Sequence, residues 1–186
     1  MKRVVKTLAL CLAVAGMGVA TSSCDSDTIN QIINAILGGQ VYTYSGNAAL
    51  QCLEGPDVNH YKVQAEGTAK MQVQLTSNSL GGTCTIVIPA ITVGDVNLSQ
   101  LTVDGLVLTS NSSQTSSTIS IGENGYNIDG TYSRGSMSHP VQGLFITEAV
   151  ASDSNISLKF SIYYGADETN FTEAVNLTFA GEVVTN

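Results

Sequence analysis

The chain has 186 residues, 7 of them basic and 15 acidic, for a net charge of −8, and only 12% of its residues are charged. A surface this acidic repels phosphate backbones and anionic headgroups, which excludes nucleic-acid binding and charge-driven membrane binding as the main activity. The length suits one domain with a real core.

In chain order, Lys2, Arg3 and Lys6 precede an apolar run from Leu8 to Val19, followed by small residues. That is the layout of a secretory signal peptide over residues 1–23, and the run is shorter than the roughly 18 apolar residues a spanning helix needs. It ends in Thr21-Ser22-Ser23-Cys24-Asp25, which resembles the lipobox of a bacterial lipoprotein. The resemblance implies diacylated Cys24 as the mature N-terminus and a membrane partner reached through that lipid. Each buried acyl methylene contributes about 0.8 kcal/mol, so two or three chains hold a domain on a bilayer. The alternative is cleavage near Ala20, which leaves Cys24 a thiol. Loss of the leader leaves Lys62, Lys70, Arg134 and Lys159 against all 15 acids, a net charge of −11. Asp25 and Asp27 resemble the export tags of Bacteroidetes surface lipoproteins, and a solvated tether is the equal alternative.

Residues 24–40 read as a tether carrying a short helix. Ile29, Ile32, Ile33, Ile36 and Leu37 fall at i, i+3, i+4, i+7 and i+8, with Asp27 or Thr28 to cap the start and Gly38-Gly39 to end it. Such a helix of about three turns needs something to pack on. A barrel end, a membrane or a partner would serve.

Residues 41–186 read as one β domain. Tyr42, Tyr44, Ala48, Leu50 and Cys52 share a face of the first strand. From Tyr61 to Leu75 every odd position is apolar or small and every even one polar or charged, the period-two signature of a strand with one buried side. Strands follow over Cys84 to Pro89, Ile91 to Val96 and Leu101 to Leu108, then a Ser-rich loop from Ser110 to Ser117. Thr118 to Gly122 and Tyr126 to Tyr132 flank Glu123-Asn124-Gly125, the Asn-Gly signal of a hairpin. Val141 to Ala151, Ile156 to Tyr164 and Phe171 to Val183 complete the set, with Ile156, Leu158, Phe160, Ile162 and Tyr164 expected to face Phe171, Val175, Leu177 and Phe179. The spacing predicts an all-β, up-and-down antiparallel barrel of about eight strands, with a β-sandwich as the alternative. Small residues on the inward faces (Gly46, Ala48, Ala65, Gly67, Ala69 and Gly130) leave room for a cavity, a plug or a tightly coiled strand.

These patterns resemble a family. A lipobox, a short apolar helix, Tyr42-Thr43-Tyr44-Ser45-Gly46, the run from Ile86 through Pro89 to Val96, a central hairpin and the closing Val175-Asn176-Leu177-Thr178-Phe179 resemble the calycin-like (lipocalin-like) β-barrel lipoproteins of Bacteroidetes. The resemblance spans Val41 to Val183 and implies an eight-stranded barrel at the cell envelope, with outer-membrane anchoring on the periplasmic or cell-surface face. It carries over no ligand and no catalytic residue.

Cys52 and Cys84 are an even pair once Cys11 leaves with the leader and Cys24 takes lipid, and a structural disulfide is expected. It would close a loop of about 30 residues and contribute roughly 3–4 kcal/mol. No GxSxG, HExxH, phosphate-binding loop or GxGxxG motif occurs. His60 and His139 lack a histidine partner at ligand spacing, and no acid–His–Ser arrangement is legible. The expectation is therefore a non-enzyme with no catalytic residues, no metal and no cofactor. Tyr42, Tyr44, Tyr126, Tyr132 and Phe160 fall on inward faces and are the candidate ligand-binding residues, either lining a pocket for a small apolar or amphiphilic molecule or filling the core. A surface module that recognises protein or glycan, and a filled structural barrel, are the competing functions.

Overall fold

The computed structural model describes residues 40–78, 82–110 and 116–184, and all of their regular structure is β. Cys24 and the expected helix over Asp27 to Leu37 lie outside the described residues. The strands are β1 (Gln40–Glu54), β2 (Lys62–Asn78), β3 (Thr83–Ile88), β4 (Ile91–Val93), β5 (Val96–Leu98), β6 (Leu101–Ser110), β7 (Ser116–Ser120), β8 (Asn127–Asp129), β9 (Thr131–Arg134), β10 (Met137–Ser152), β11 (Asn155–Asp167) and β12 (Asn170–Val183).

Eight of these form a closed ring in the order β1-β2-β3-β6-β7-β10-β11-β12, and β12 returns to β1. All the ladders are antiparallel, and ring neighbours follow chain order, as an up-and-down meander requires. Two separate layers of a sandwich would break the ladder twice, whereas this ladder runs all the way round. The thinnest joint is β7–β10, three residue pairs from Val150↔Thr118 to Ser152↔Ser116. Beside it the Tyr126 hydroxyl accepts the Leu144 N–H at 2.8 Å, a side chain standing in for a strand.

Period-two alternation explains what is inside. On β1, Tyr44, Ala48, Leu50 and Cys52 are buried, as are Met71, Val73 and Leu75 on β2 and Ile156, Leu158, Phe160, Ile162 and Tyr164 on β11. These join residues from the other ring strands in one contiguous apolar core. Each fully buried large side chain contributes about 1.5–3 kcal/mol.

The two ends of the ring differ. At the end where β1 finishes, a small sheet of β4, β5, β9 and the start of β10 lies across the opening. Val93, Val96, Leu98 and Tyr132 from this sheet join the core. The small residues of β2 accommodate it: a Cβ on Gly67 would meet Val93 Cγ1 at 3.4 Å, and one on Gly94 would meet Ala65 Cβ at 3.3 Å. At the other end Gly46 pairs with Gly181 across β1 and β12, and a Cβ on Gly46 would lie 1.9 Å from the Ala180 carbonyl oxygen. The two backbones touch there, so at Gly46 smallness serves close approach.

Three expectations need correction. The turn at Glu123-Asn124-Gly125 forms, with Gly125 at φ +74° and its N–H on the Gly122 carbonyl, but the flanking strands make no hairpin. β7 pairs with β6 and β10, and β8 pairs with β6, because longer strands outcompete a two-sided pairing of three to five residues.

Phe171 does not join the inward row. Tyr164 pairs with Glu173 but Gly165 pairs with Phe171, so Thr172 is an extra residue and turns Phe171 outward, beside Tyr163.

Cys52 and Cys84 are two separate buried thiols rather than a disulfide. Cys52 pairs with Ala65 and Cys84 with Ser77, twelve positions apart along β2, or about 40 Å at the rise of an extended strand. Bridging needs Cα atoms within about 7 Å.

Candidate functional site

The five candidate ligand residues divide among four places. Tyr42 and Tyr44 stack at the end opposite the small sheet, with centroids 6.2 Å apart and 23° between planes. The Tyr44 hydroxyl donates to the Ser152 carbonyl at 2.7 Å, and Tyr42 donates to Asp153 Oδ1 at 3.4 Å. Burial, with Tyr42 and Asp153 adding smaller contributions, pushes the Tyr44 pKa up to about 12. Both rings border a concavity of about 120 Å³ with Leu75, Leu108 and Ala151. Phe160 lies mid-ring opposite Leu177 and is 2% exposed. Tyr126 holds Leu144 at the thin joint. Tyr132 is fully buried at the capped end, its ring 5.6 Å from that of Tyr164.

At that capped end a polar cluster forms that no sequence motif announces. Tyr132 donates to Glu54 Oε1 at 2.9 Å, and Arg134 Nη1 donates to Glu54 Oε2 at 2.8 Å. Arg134 Nε reaches Asp95 Oδ2 at 2.7 Å and holds its carboxyl below the usual range. His139 Nδ1 lies 2.7 Å from Oε2 of Glu173, which is 2% exposed. Burial and the Glu54 carboxylate raise the Tyr132 pKa, so its hydroxyl stays a donor. Each of these polar side chains has a partner, and the arrangement clamps the small sheet to β1 and β12. Among the described residues, no group of three or more His, Cys, Asp or Glu could hold a metal ion. The surface histidine, His60, pairs with Asp57 within its own turn at 2.9 Å.

The larger concavities lie outside the ring. One, of about 600 Å³, opens on the outer wall of β12, β1 and β2 over Gln51, Glu66, Thr68, Asn176 and Thr178. A second, of about 520 Å³, lies toward the other end of β12 and β1 over Asn47, Asn155, Ser157 and Glu182. Sequence alternation identifies these residues as exposed without showing that they form a concave surface.

No family model matches the chain, and no curated protein or solved structure matches it either.

Proposed function

We propose that this protein is a non-catalytic, calycin-like β-barrel lipoprotein of a bacterial cell envelope, acylated at Cys24, that acts through its outer surface rather than its interior. The observation that carries this reading is the single contiguous core contributed by every ring strand and the small sheet. Tyr44, Tyr132 and Phe160 occupy the space an internal ligand needs, and each is at most 2% exposed. A pocket for a small apolar molecule runs to about 300 Å³ or more, and the concavity bordered by Tyr42 and Tyr44 holds about 120 Å³. The outer wall carries hollows of that class.

The lipid anchor and outer-membrane address rest on the lipobox-like Thr21 to Asp25 segment. The chain beyond Cys24 leads into β1 at the end of the ring opposite the small sheet. Native mass spectrometry of the protein extracted from its own envelope tests the reading. The expected mass is the acylated chain alone. A further apolar molecule retained one per chain overturns it.

A further inference from the structure

We propose that the outer wall beside the capped end binds a neutral carbohydrate, an inference that rests on the outer-surface reading. Two bulges at this end each turn outward an apolar side chain that plain alternation would bury. Cys52 pairs with Ala65 but Leu53 pairs with Val63, so Gln64 is an extra residue and Val63 emerges 51% exposed. The extra Thr172 brings out Phe171, whose ring lies 5.7 Å from Tyr163 at 47°. Leu53 pairs with Ala174 and Ala174 with Tyr163. Val63, Leu53, Ala174 and Tyr163 thus form one apolar row by register across four adjacent strands, Ala174 itself being buried at 1% exposed, with Phe171 against its end. Each bulge interrupts a ladder and forgoes burial, and bulges re-aim side chains next to functional sites.

The neighbouring row, two residues along β1, β12 and β11 and three along the bulged β2, is polar: Glu66, Gln51, Asn176 and Ser161. Ser161 Oγ donates to Asn176 Oδ1 at 2.9 Å, and Asn176 Nδ2 donates to Gln51 Oε1 at 3.4 Å. Glu66, Gln51 and Asn176 of this row line the 600 Å³ hollow, and Tyr163 stands diagonal to Asn176, about 7–8 Å away.

Charge narrows the ligand. Among the described residues, Glu66 is the one charged residue lining the hollow, and Lys159, beside Thr178, is held by Glu148 at 2.5 Å. An anion meets an acidic protein and no free cation in the lining, while a cation meets a single carboxylate. A sugar ring fits both rows: its C–H face lies on the aromatic pair, and its hydroxyls exchange hydrogen bonds with amides that both donate and accept.

The test is calorimetric titration of the mature chain with cellohexaose, maltohexaose and xylohexaose. Saturable binding of at least one is expected. Tyr163→Ala and Asn176→Ala should each weaken it by about tenfold, while Tyr44→Phe at the far end of the interior should leave it unchanged. If none of the three binds, or if the outer-wall variants bind as well as the parent, the proposal is overturned. A photo-crosslinker at Phe145, exposed on the same outer wall, separates the two failures. Capture of a protein there with all three sugars inert overturns the carbohydrate assignment and leaves the outer-surface reading standing. An apolar molecule inside the ring overturns both.

Discussion

Glu54 on β1 and Glu173 on β12 are direct cross-strand partners, two like charges facing each other at the end of the ring. Facing like charges normally destabilise a sheet. Here each carboxylate is met by a different nitrogen donor from the small sheet, Arg134 of β9 for Glu54 and His139 of β10 for Glu173. The repulsion between β1 and β12 is thereby turned into two attachments for the cap.

Removing either side chain should cost more than its exposure suggests, because each takes a hydrogen-bond donor from a carboxylate at the end of the ring. Arg134→Leu is expected to lower stability by about 1–3 kcal/mol. His139→Leu strands the 2%-exposed Glu173 and should cost about 3–5 kcal/mol. Lys159→Leu, which breaks the exposed pair with Glu148, should cost no more than about 1 kcal/mol. Urea unfolding of the three variants checks the ranking, and equal losses would remove the cap from the account of stability.

Gly46→Ala should destabilise by about 3 kcal/mol or more, since its Cβ would overlap the Ala180 carbonyl oxygen at 1.9 Å and backbone must move. Gly143→Ala on β10 meets nothing within 4 Å and should change stability by less than about 0.5 kcal/mol. Thermal melts of the pair distinguish close approach from a general need for glycine.

Both thiols should resist alkylation in the native protein at pH 8 and react fully, without reductant, once it is unfolded. Burial pushes the pKa of Cys52 up to about 11 and of Cys84 up to about 12, so little thiolate exists natively. Peptide mapping after alkylation of unfolded, unreduced protein should find both residues modified. A Cys52–Cys84 linked peptide would contradict the observed strand register.

Much of the fold can be read in the sequence, and the failures have a common cause. The alternation from Ala65 to Leu75 and from Ile156 to Tyr164 specifies which face is buried because a one-residue slip would expose the whole set. Gln64 and Thr172 are invisible as bulges, since an extra residue in one strand is defined only by its partner. Val63 and Phe171 therefore read as core and emerge on the wall. Cys52 and Cys84 fail for the same reason: their separation is set by which β2 residues they face. The Glu54, Arg134, His139 and Glu173 cluster draws on four strands, so no local spacing could reveal it.

Alkali should unfold the protein over a defined range. Cys52 and Cys84 have pKa values raised from 9.0, and Tyr44 and Tyr61 from 10.0 to about 12, chiefly by burial. A folded-state pKa above the unfolded one gives stability that is complete below the unfolded value and lost as pH rises through the folded value. Stability is thus expected to hold up to about pH 9 and to decline from there to about pH 12. A urea midpoint that stays constant from pH 8 to 11.5 would contradict this burial.

A full ring is what directs the proposed binding to the outer wall. Titrating the chain from Asp25 onward with the apolar dye 1-N-phenylnaphthylamine asks this directly. The expected result is weak, non-saturating fluorescence that palmitate does not displace. A saturable site, one per chain and emptied by palmitate, would contradict the filled interior and return binding to the inside of the ring.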